Sequence, residues 1–302
     1  MKKVIIFGSN GQDGFYLNEL LKKEQFEIVK VSRTSGDIIG SVGDYSFVEN
    51  IIKALKPEYI FHFAAISTTN HDVTLDNNNA ISTGAINILE SVKRHSLTSK
   101  IFISGSALQF KNNGVPIDEE TPFDYSTTYA ISRTYSVNLA RYYREKFGLK
   151  VYIGYFFNHD SPLRSEKHIN QKVVRHLVMV KNGSRDKLII GNLNVKKEFS
   201  FAKDIMEAVW ILINQDSIYE TVIGSGIAYS IEDWVTYCFQ KYFLDWKDYI
   251  IIDNNYKTDY EILVSNPQKI NLLGWKPKTN IFELADIMLE SEFNRIKYSF
   301  EY

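Results

Sequence analysis

The chain has 302 residues, of which 44% are hydrophobic and 24% are charged, and this is the composition of an ordinary globular protein. A chain of this length can bury roughly 75% of its unfolded surface, so it needs no disulfide or metal to fold. The formal net charge of −1 gives no general attraction for nucleic acid. The single cysteine excludes an intrachain disulfide. The histidines lack the spacing of metal ligands, so we expect no structural metal site. No apolar run is long enough to predict a membrane span. We expect a reducing, cytoplasmic compartment, because the N-terminus lacks a signal-peptide pattern.

Short apolar runs alternate with amphipathic patterns along the first half of the chain. The runs predict strands, and the periodic segments predict helices. Strands that alternate with helices indicate βαβ units, and hence an α/β fold with a doubly wound parallel sheet of the Rossmann type. In chain order, the predicted elements are strand 4–7, helix 15–24, strand 27–31, helix 47–55, strand 59–63, helix 83–94, strand 100–104, helix 129–146, strand 151–157 and helix 169–180.

After about residue 160 the alternation becomes less regular. Charges, turns and helical patterns mix there, which is typical of a smaller region that covers a substrate. We assign residues 1–157, with about 195–225, to the Rossmann domain. About 158–194 and 226–302 are assigned to a discontinuous C-terminal substrate-binding region. No linker separates the two, so we expect one compact unit.

The first predicted strand ends in a glycine-rich loop, and a helix follows directly. Gly8, Gly11 and Gly14 have the spacing G-x-x-G-x-x-G. The first glycine permits the tight turn, the second lets the backbone approach a pyrophosphate, and the third lets the helix pack close to the sheet. The helix N-terminus adds free N–H groups and a partial positive charge. In this strand–turn–helix context the loop predicts a dinucleotide site, although the spacing alone also fits a turn with incidental glycines.

The end of the second predicted strand indicates which dinucleotide binds. An NAD site usually has an acidic residue there, which bonds the ribose hydroxyls. This chain instead has Arg33 between Ser32 and Thr34, a set that suits the 2′-phosphate of NADP. We therefore expect NADP rather than NAD, with a solvated surface arginine as the alternative interpretation. Asp44 lies where a turn aspartate commonly contacts the adenine amine in such folds.

A set of short motifs follows in a fixed order along nearly the whole chain. They are residues 11–14 (GQDG) with Tyr16 and Leu17, 56–67, 157–162 (FNHDSP), 191–193 (GNL), 196–199, 202–204 and 273–278 (LGWKPK). In this order they resemble an extended short-chain dehydrogenase/reductase, and within that class the GDP-mannose 4,6-dehydratase family. The resemblance implies a nucleotide-sugar substrate and favours a GDP-linked one, whereas nothing in the spacing itself indicates guanine.

The resemblance also implies which residues form the two binding sites. The cofactor residues are Gly8, Asn10, Gly11, Gln12, Asp13, Gly14, Arg33, Asp44, Ala64, Ala65, Ser104, Tyr129, Arg133, Phe156 and His159. The substrate residues are Ser67, Asn158, Lys172, Asn192, Leu193, Lys197 and Lys257. Lys197 and Lys257 stand where the family commonly has arginine, so they keep the charge but lose the bidentate fork on phosphate. Solvated lysines are the alternative interpretation of Lys172 and Lys257.

The catalytic centre departs from the family pattern in two places, and the first is the cation beside the tyrosine. Members use a serine or threonine after the fifth strand and Tyr-x-x-x-Lys on the next long helix. The corresponding residues are Ser106 and Tyr129, but Arg133 replaces the lysine. Tyr129 and Arg133 share one helix face, and arginine keeps the charge that favours a tyrosinate. Its wider, planar group need not keep the ribose contacts of the lysine. A helix start without chemistry is the alternative.

The second departure concerns the carboxyl group that a 4,6-dehydratase needs for elimination. The family places it one or two residues after the serine or threonine, where this chain has Ala107 and Leu108. Neither side chain can transfer a proton. Glu119 and Glu120 lie beyond the next loop, in a segment that resembles an ordinary connector. We therefore interpret them as surface carboxylates.

Three functions remain open. We prefer a 4-ketoreductase or epimerase that acts at C4 of a nucleotide sugar, because it needs only Ser106, Tyr129, Arg133 and the cofactor. A reductase that consumes NADPH suits Arg33 better than an epimerase that recycles a retained NAD. The second function is a dehydratase with a relocated acid/base. The third is a non-catalytic homologue that binds a dinucleotide or nucleotide sugar and acts as a regulator or partner subunit.

The long helix from Tyr129 to Lys146 bears on association. Its bulky side chains at helical spacing are Ile131, Tyr135, Leu139, Tyr142 and Tyr143. They either pack against the sheet or, as the resemblance implies, join the same helix of a second copy in a four-helix interface. We predict a homodimer.

Overall fold

The computed structural model describes residues 1–66, 68, 70–253 and 255–299, with side chains up to residue 295. Ser67, one of the expected substrate residues, lies outside the described residues. The strands are β1 (Lys2–Phe7), β2 (Phe26–Ser32), β3 (Ile38–Ile39), β4 (Tyr59–His62), β5 (Lys100–Ser106), β6 (Lys150–Phe156), β7 (His159–Asp160), β8 (Leu188–Ile190), β9 (Lys196–Glu198), β10 (Ser200–Phe201), β11 (Glu220–Ile223), β12 (Ala228–Ser230), β13 (Ile250–Ile252) and β14 (Ile262–Leu263). The helices are α1 (Gln12–Leu21), α2 (Tyr45–Leu55), α3 (Thr74–Asn77), α4 (Gly84–His95), α5 (Thr128–Phe147), α6 (Ile169–Lys181), α7 (Ala202–Ile213), α8 (Ile231–Gln240), α9 (Gln268–Leu272) and α10 (Ile281–Ser299).

Seven strands form the main sheet, in the order β3-β2-β1-β4-β5-β6-β11, and every neighbouring pair is parallel. The buried runs of β1 and β4 have no polar alternation, as expected of strands covered on both faces. The strand order reverses between β1 and β4. In such a sheet, ligands bind outside the carboxyl ends of the strands at this reversal. The predicted doubly wound α/β fold is confirmed.

Two hydrophobic layers cover the main sheet. Helices α2, α4 and α5 pack on one face, around core residues such as Ile52, Leu89 and Val137. Helices α1 and α7 pack on the other face, with Leu17 and Val209 in the core. The two layers leave only the ends of the strands open to ligands.

A third core lies among α6, α8 and α10, with Val173, Trp234 and Leu284 fully buried. Three small sheets accompany it, in the orders β12-β9-β14, β13-β8 and β10-β7. Partly buried Tyr16, on α1, packs against both this core and the α1–α7 layer. The separate core supports the two-part division expected above, which remains our proposal.

The structure differs from the expectations mainly at the ends of elements. The predicted helix 83–94 begins earlier, because α3 and the π-helical Asn78–Thr83 run into α4. That polar stretch has no apolar period, and a tertiary contact holds it instead: Asn77 Oδ1 accepts a hydrogen bond from the Ile66 N–H at 2.8 Å. Helix α1 begins at Gln12 rather than Phe15, which brings its N-terminus up to the glycine loop.

Candidate active site

The loop between β1 and α1 has the backbone geometry of a phosphate-binding turn. Gly8 has a φ of +85°, and a Cβ on it would lie 2.7 Å from the Ala64 nitrogen. A Cβ on Gly14 would lie 2.6 Å from the Gly8 carbonyl oxygen. A Cβ on Gly11 would meet only that oxygen, at 3.5 Å, so the space outside Gly11 is open. No side chain caps α1 at Gly11, which leaves its N–H groups for an anion. These residues fit the pyrophosphate of a dinucleotide.

A buried ion pair ties α1 to β7. His159 Nε2 lies 2.9 Å from Asp13 Oδ1, and Nδ1 lies 2.8 Å from the Phe157 carbonyl oxygen. Both neighbours are acceptors, so the ring carries a proton on each nitrogen. Burial opposes the charges, but the Asp13 carboxylate raises the pKa of His159, and His159 lowers the pKa of Asp13. The imidazolium thus neutralises a carboxylate that would otherwise repel a pyrophosphate.

Gln12 adds neutral contacts between the same two elements. Its Nε2 donates to the His159 carbonyl oxygen at 3.2 Å, and Ser161 Oγ donates to its Oε1 at 2.9 Å. The side chain is buried, so it acts through these contacts. Of the remaining expected cofactor residues, Ala64 and Ala65 lie on the loop after β4, and Phe156, at the end of β6, packs edge-to-face on His159 with ring centroids 5.3 Å apart.

The adenosine end of the expected cofactor site lies after β2. Arg33 is exposed and makes no hydrogen bond or ion pair within the described part of the chain. Asn10 Nδ2 donates to Thr34 Oγ1 at 2.9 Å, which joins the glycine loop to this turn. Asp44 caps α2, with its Oδ1 accepting from the Phe47 N–H at 3.1 Å. The structure therefore gives Asp44 a structural role that the sequence reasoning missed, and its contact with adenine stays a prediction.

Two of the expected catalytic residues, Tyr129 and Arg133, meet Ser104 where α5 crosses the end of β5. Arg133 Nε donates to Tyr129 Oη at 3.2 Å, and Nη1 donates to Ser104 Oγ at 2.9 Å and to the Ser104 carbonyl oxygen at 2.5 Å. All three residues are buried. A guanidinium has five N–H groups, so Nη2 keeps two donors for a ligand. The charge of Arg133 also lowers the pKa of Asp13, which places the α5 cation within electrostatic reach of the glycine loop.

His62 is a member of this region that the sequence reasoning missed. Its carbonyl oxygen accepts from Ser104 Oγ at 3.0 Å. Burial, followed by the charge of Arg133, lowers the pKa of His62 to about 4, so the ring is neutral near pH 7. Arg133 is therefore the cation at this point. The available signal was a single polar residue within the buried run of β4.

Ser106 ends β5, two residues after Ser104, so both side chains leave the same face of the strand. Its Oγ accepts from the Leu108 N–H at 3.2 Å, and Gln109 Oε1 accepts from the Ser106 N–H at 2.9 Å. These bonds form a capping box for the short 3₁₀ turn 107–109. Among the residues that the structure describes, no acceptor is assigned to the Ser106 hydroxyl proton, so this proton is available to a ligand. Ala107 is buried within the turn.

The two glutamates beyond this turn differ from each other. Glu120 is exposed, as expected. Glu119 is not a surface carboxylate: its side chain is only 9% exposed and lies 3.4 Å from Lys269 Nζ. Its Oε1 accepts from the Val222 N–H at 2.7 Å, on β11 at the edge of the main sheet. The expectation for Glu119 was wrong because an edge strand offers unpaired N–H groups, and a carboxylate can satisfy one of them.

The expected substrate residues fall into two groups. Asn158 and Lys197 are buried or nearly so, and Leu193 is buried in the third core. Burial raises the pKa of the Tyr260 hydroxyl to about 12, and Asn158 opposes this shift. Asn192 Oδ1 accepts from the Asn194 N–H at 2.9 Å. Lys172 and Lys257 are exposed, as in their alternative interpretation, and no contact in the structure assigns them to a substrate.

A buried charged cluster surrounds Lys197 and was also missed. Asp160 Oδ1 lies 3.2 Å from Arg164 Nε, and Asn170 Nδ2 donates to Asp160 Oδ2. Burial raises the pKa of Asp160, but Arg164 and then Lys197 lower it further. Burial and Arg164 lower the pKa of the neighbouring His168 to about 4. Burial lowers the pKa of Lys197, and the Asp160 carboxylate opposes that shift. Arg164 and Lys197 thus lie beside one carboxylate and a neutral imidazole, which makes the cluster a candidate site for an anionic ligand.

Within the residues that the structure describes, no three histidine, cysteine or carboxylate side chains are grouped so that they could hold a metal ion. In the same part of the chain, no helix is long and apolar enough to cross a membrane.

The sheet order, the glycine loop after β1 and the buried Tyr129–Arg133 pair together define an extended short-chain dehydrogenase/reductase. The sequence profile described as GDP-mannose 4,6 dehydratase matches residues 5–288. The chain belongs to this family, and it is accordingly an enzyme-class protein of the nucleotide-sugar dehydratase and epimerase branch.

Known relatives carry the same name. GDP-mannose 4,6 dehydratase 2 of Arabidopsis thaliana is 30% identical over 335 residues, covering 98% of this chain and 88% of its own length. GDP-mannose 4,6 dehydratase of Dictyostelium discoideum is 26% identical over 350 residues, covering 100% of this chain and 98% of its own length.

Solved structures share the fold at lower identity. The dTDP-glucose 4,6-dehydratase of Bacillus anthracis, in complex with NAD, has a TM-score of 0.86 at 16% identity and covers 99% of this chain and 98% of its own. RMD from Pseudomonas aeruginosa, complexed with NADPH, has a TM-score of 0.86 at 17% identity and covers 98% of this chain and 100% of its own. The similar structures thus include one with NAD and one with NADPH.

Proposed function

We propose that the chain is an NADP-dependent oxidoreductase that acts at C4 of a GDP-linked sugar, as a 4-ketoreductase or epimerase. The observation that carries the proposal is the assembled group of Tyr129, Arg133 and Ser104, set beside a turn whose residues 107 and 108 cannot transfer a proton. The chain has the side chains that hydride transfer at C4 requires, but it lacks a carboxyl group at the position where the family has one for elimination.

Each side chain has a role in this reaction. Tyr129 gives a proton to the C4 oxygen when the ketone is reduced, and takes it back in the reverse direction. Arg133 is permanently charged, and its Nε–H points at Tyr129 Oη, so it stabilises the tyrosinate that remains. Ser106 offers its hydroxyl proton to the same substrate oxygen. A bound nicotinamide supplies or accepts the hydride at C4.

The environment of Arg33 supports NADP over NAD. Its exposed guanidinium, unpaired within the described residues, stands at the end of β2. A 2′-phosphate there would gain a bidentate partner. The names of the curated relatives support a GDP-linked sugar, and the positive cluster around Lys197 suits its phosphates.

The names of the relatives also favour a second candidate, a GDP-mannose 4,6-dehydratase with a relocated acid/base. A single assay separates the two. The purified chain receives NADPH with a GDP-linked 4-keto-6-deoxy sugar, and NADP with GDP-mannose in a parallel sample. We expect a 4-ketoreductase to consume NADPH with the first substrate, and a C4 epimerase to invert the C4 hydroxyl of GDP-mannose in the second sample. In neither case do we expect loss of water from GDP-mannose. Water loss from GDP-mannose would favour the dehydratase. Measurable NADPH binding without turnover of either substrate would favour a non-catalytic homologue.

A homodimer through α5 belongs to the same proposal. Tyr143 is buried, but Ile131, Tyr135 and Tyr142 are 48%, 46% and 52% exposed. An exposed apolar stripe on a helix that also packs on the sheet supports an interface. Light scattering at micromolar concentration tests it, and a monomer would contradict it.

A further inference from the structure

The end of the main sheet where the strands begin, opposite the glycine loop, holds a recess. Parallel strands bring their N-terminal ends together, so Lys2, Lys100 and Lys150 begin β1, β5 and β6 at one edge. This edge lies a strand length away from the glycine loop and Tyr129, which follow the carboxyl ends. Lys100 and Lys150 are directly in register on neighbouring strands.

These residues border a recess of about 470 Å³. Sites for small molecules ordinarily have volumes of about 300–1,000 Å³. The lining residues, hereafter the lysine recess, are Met1, Lys2, Lys3, Leu55, Lys56, Pro57, Glu58, Thr98, Lys100 and Lys150. Five lysines and one carboxylate meet here, in a chain whose formal net charge is −1. The recess is therefore a local concentration of positive charge on an otherwise slightly acidic molecule.

Two of the five lysines have carboxylate partners. Lys2 Nζ lies 2.7 Å from Glu58, and Lys3 Nζ lies 3.8 Å from Glu27. Lys56, Lys100 and Lys150 have no ion pair within the described part of the chain. Lys100 Nζ lies 6.0 Å and 5.8 Å from the ring centroids of Tyr59 and Tyr152, so two aromatic faces hold it in place. Side by side on adjacent strands, Lys100 and Lys150 repel each other.

The helix dipole explains part of this arrangement. Helices α2 and α4 end at this edge, and cations near a helix C-terminus are stabilising. That effect accounts for Lys56, the C-cap residue of α2. It does not account for Lys100 and Lys150, which begin neighbouring strands in register and so bring two like charges to the same place, where a bound anion would be stabilised.

We propose that the lysine recess binds a phosphate-bearing polyanion, with Lys56, Lys100 and Lys150 as its contacts. Several phosphate charges are needed to match three unpaired lysines. The site is separate from the nucleotide edge and does not depend on the chemistry at Tyr129. The same chemistry is found in a soluble polyphosphate and in the headgroups of an anionic lipid surface.

Isothermal titration of tripolyphosphate tests the proposal, with the chain saturated beforehand by NADPH and GDP so that the opposite edge is occupied. The test variant is Lys100→Gln with Lys150→Gln. The control is Lys23→Gln with Lys187→Gln, which removes the same charge from exposed positions. We expect 1:1 binding to the wild type, about a tenfold weaker affinity for the test variant, and an unchanged affinity for the control. Tripolyphosphate binding that is equally weakened in both variants would overturn the proposal.

A measurement on the wild-type chain keeps the proposal testable if the double variant does not fold. Lysine acetylation followed by mass spectrometry should show that tripolyphosphate protects Lys56, Lys100 and Lys150 but not Lys187. Vesicles of phosphatidylcholine with phosphatidylinositol phosphate distinguish the sources. Vesicle binding that depends on Lys100 and Lys150, without tripolyphosphate binding, assigns the site to a lipid surface. Failure of both ligands overturns it.

Discussion

Two regions at the carboxyl edge of one sheet are built in different ways. The loop after β1 is specified by its backbone, because Gly8 and Gly14 leave no room for a Cβ. The region after β5 is specified by side chains, because the Arg133 guanidinium contacts Tyr129 and Ser104 through hydrogen bonds and lies over the Tyr129 ring. A backbone site tolerates almost no change at its glycines, whereas a side-chain site can exchange one cation for another. Cofactor binding and proton transfer can therefore vary separately in this fold.

The largest expected effect separates the two regions directly. Tyr129→Phe removes the proposed proton-transfer group without changing the glycine loop, so we expect turnover to fall by about 10²–10⁴-fold and NADPH affinity to change far less. Steady-state kinetics and NADPH fluorescence measure the two quantities. Tyr135→Phe, on the exposed side of the same helix, is the control and should keep full activity. Wild-type turnover in Tyr129→Phe would remove Tyr129 from the proposed chemistry.

Two glycine variants test the glycine loop, the region that is specified by its backbone. Gly8→Ala puts a Cβ 2.7 Å from Ala64 in a left-handed conformation, and should cost about 2–4 kcal/mol of unfolding free energy. Gly11→Ala meets only an oxygen at 3.5 Å, so the chain should fold normally and lose NADPH affinity, because the methyl group occupies the open space. Urea unfolding and NADPH titration measure both. Equal destabilisation by the two variants would contradict the assigned roles.

The same contrast explains what the sequence could predict. The glycine loop and the strand order follow from spacing and periodicity, which are local properties of the chain. The pairing of Tyr129 with Arg133 also follows, since the two share a helix face. The partners of Arg133 do not follow, because Ser104 reaches it from another element of the fold.

Residues held by tertiary contacts mark the limit of sequence reasoning. Glu119 resembled a surface residue, but the open edge of β11 gives it a partner more than a hundred positions away. The charged cluster of Asp160, Arg164 and His168 could not be recognised from the sequence, because Lys197 joins it from β9, about thirty positions away. Periodicity in the sequence predicts helices and strands but not these contacts between distant segments.

The ion pair between Asp13 and His159 joins the backbone-built loop to β7, and its pH dependence sharpens the comparison. The lowered pKa of Asp13 adds stability that is lost as the pH falls through that value. The raised pKa of His159 adds stability that is full below its ordinary value of 6.5 and is lost as the pH rises through the raised value. The pair therefore contributes most in the window between about pH 4 and 6.5.

His159→Gln should accordingly cost about 1–3 kcal/mol of unfolding free energy in that window, and less at higher pH. Chemical unfolding across the pH range measures the difference from the wild type. His95→Gln is the control, because His95 pairs with Glu49 at a more exposed position and should show a smaller loss. A difference for His159→Gln that does not change with pH would contradict the charged pair.

The smallest effect concerns Ser104, which we infer to position Arg133 through the two bonds to its Nη1. Ser104→Ala removes one acceptor of Nη1 and leaves the Ser104 carbonyl oxygen, so the guanidinium is held less firmly against Tyr129. One hydrogen bond of about 0.5–1.5 kcal/mol corresponds to a loss of turnover of about 2–13-fold, with NADPH affinity unchanged. Ser99→Ala is the matched control, because Ser99 is a fully buried serine whose hydroxyl bonds the Pro57 carbonyl oxygen far from the site. Both variants should lose similar stability, but only Ser104→Ala should lose turnover, and an equal loss of turnover in both would assign Ser104 a purely structural role.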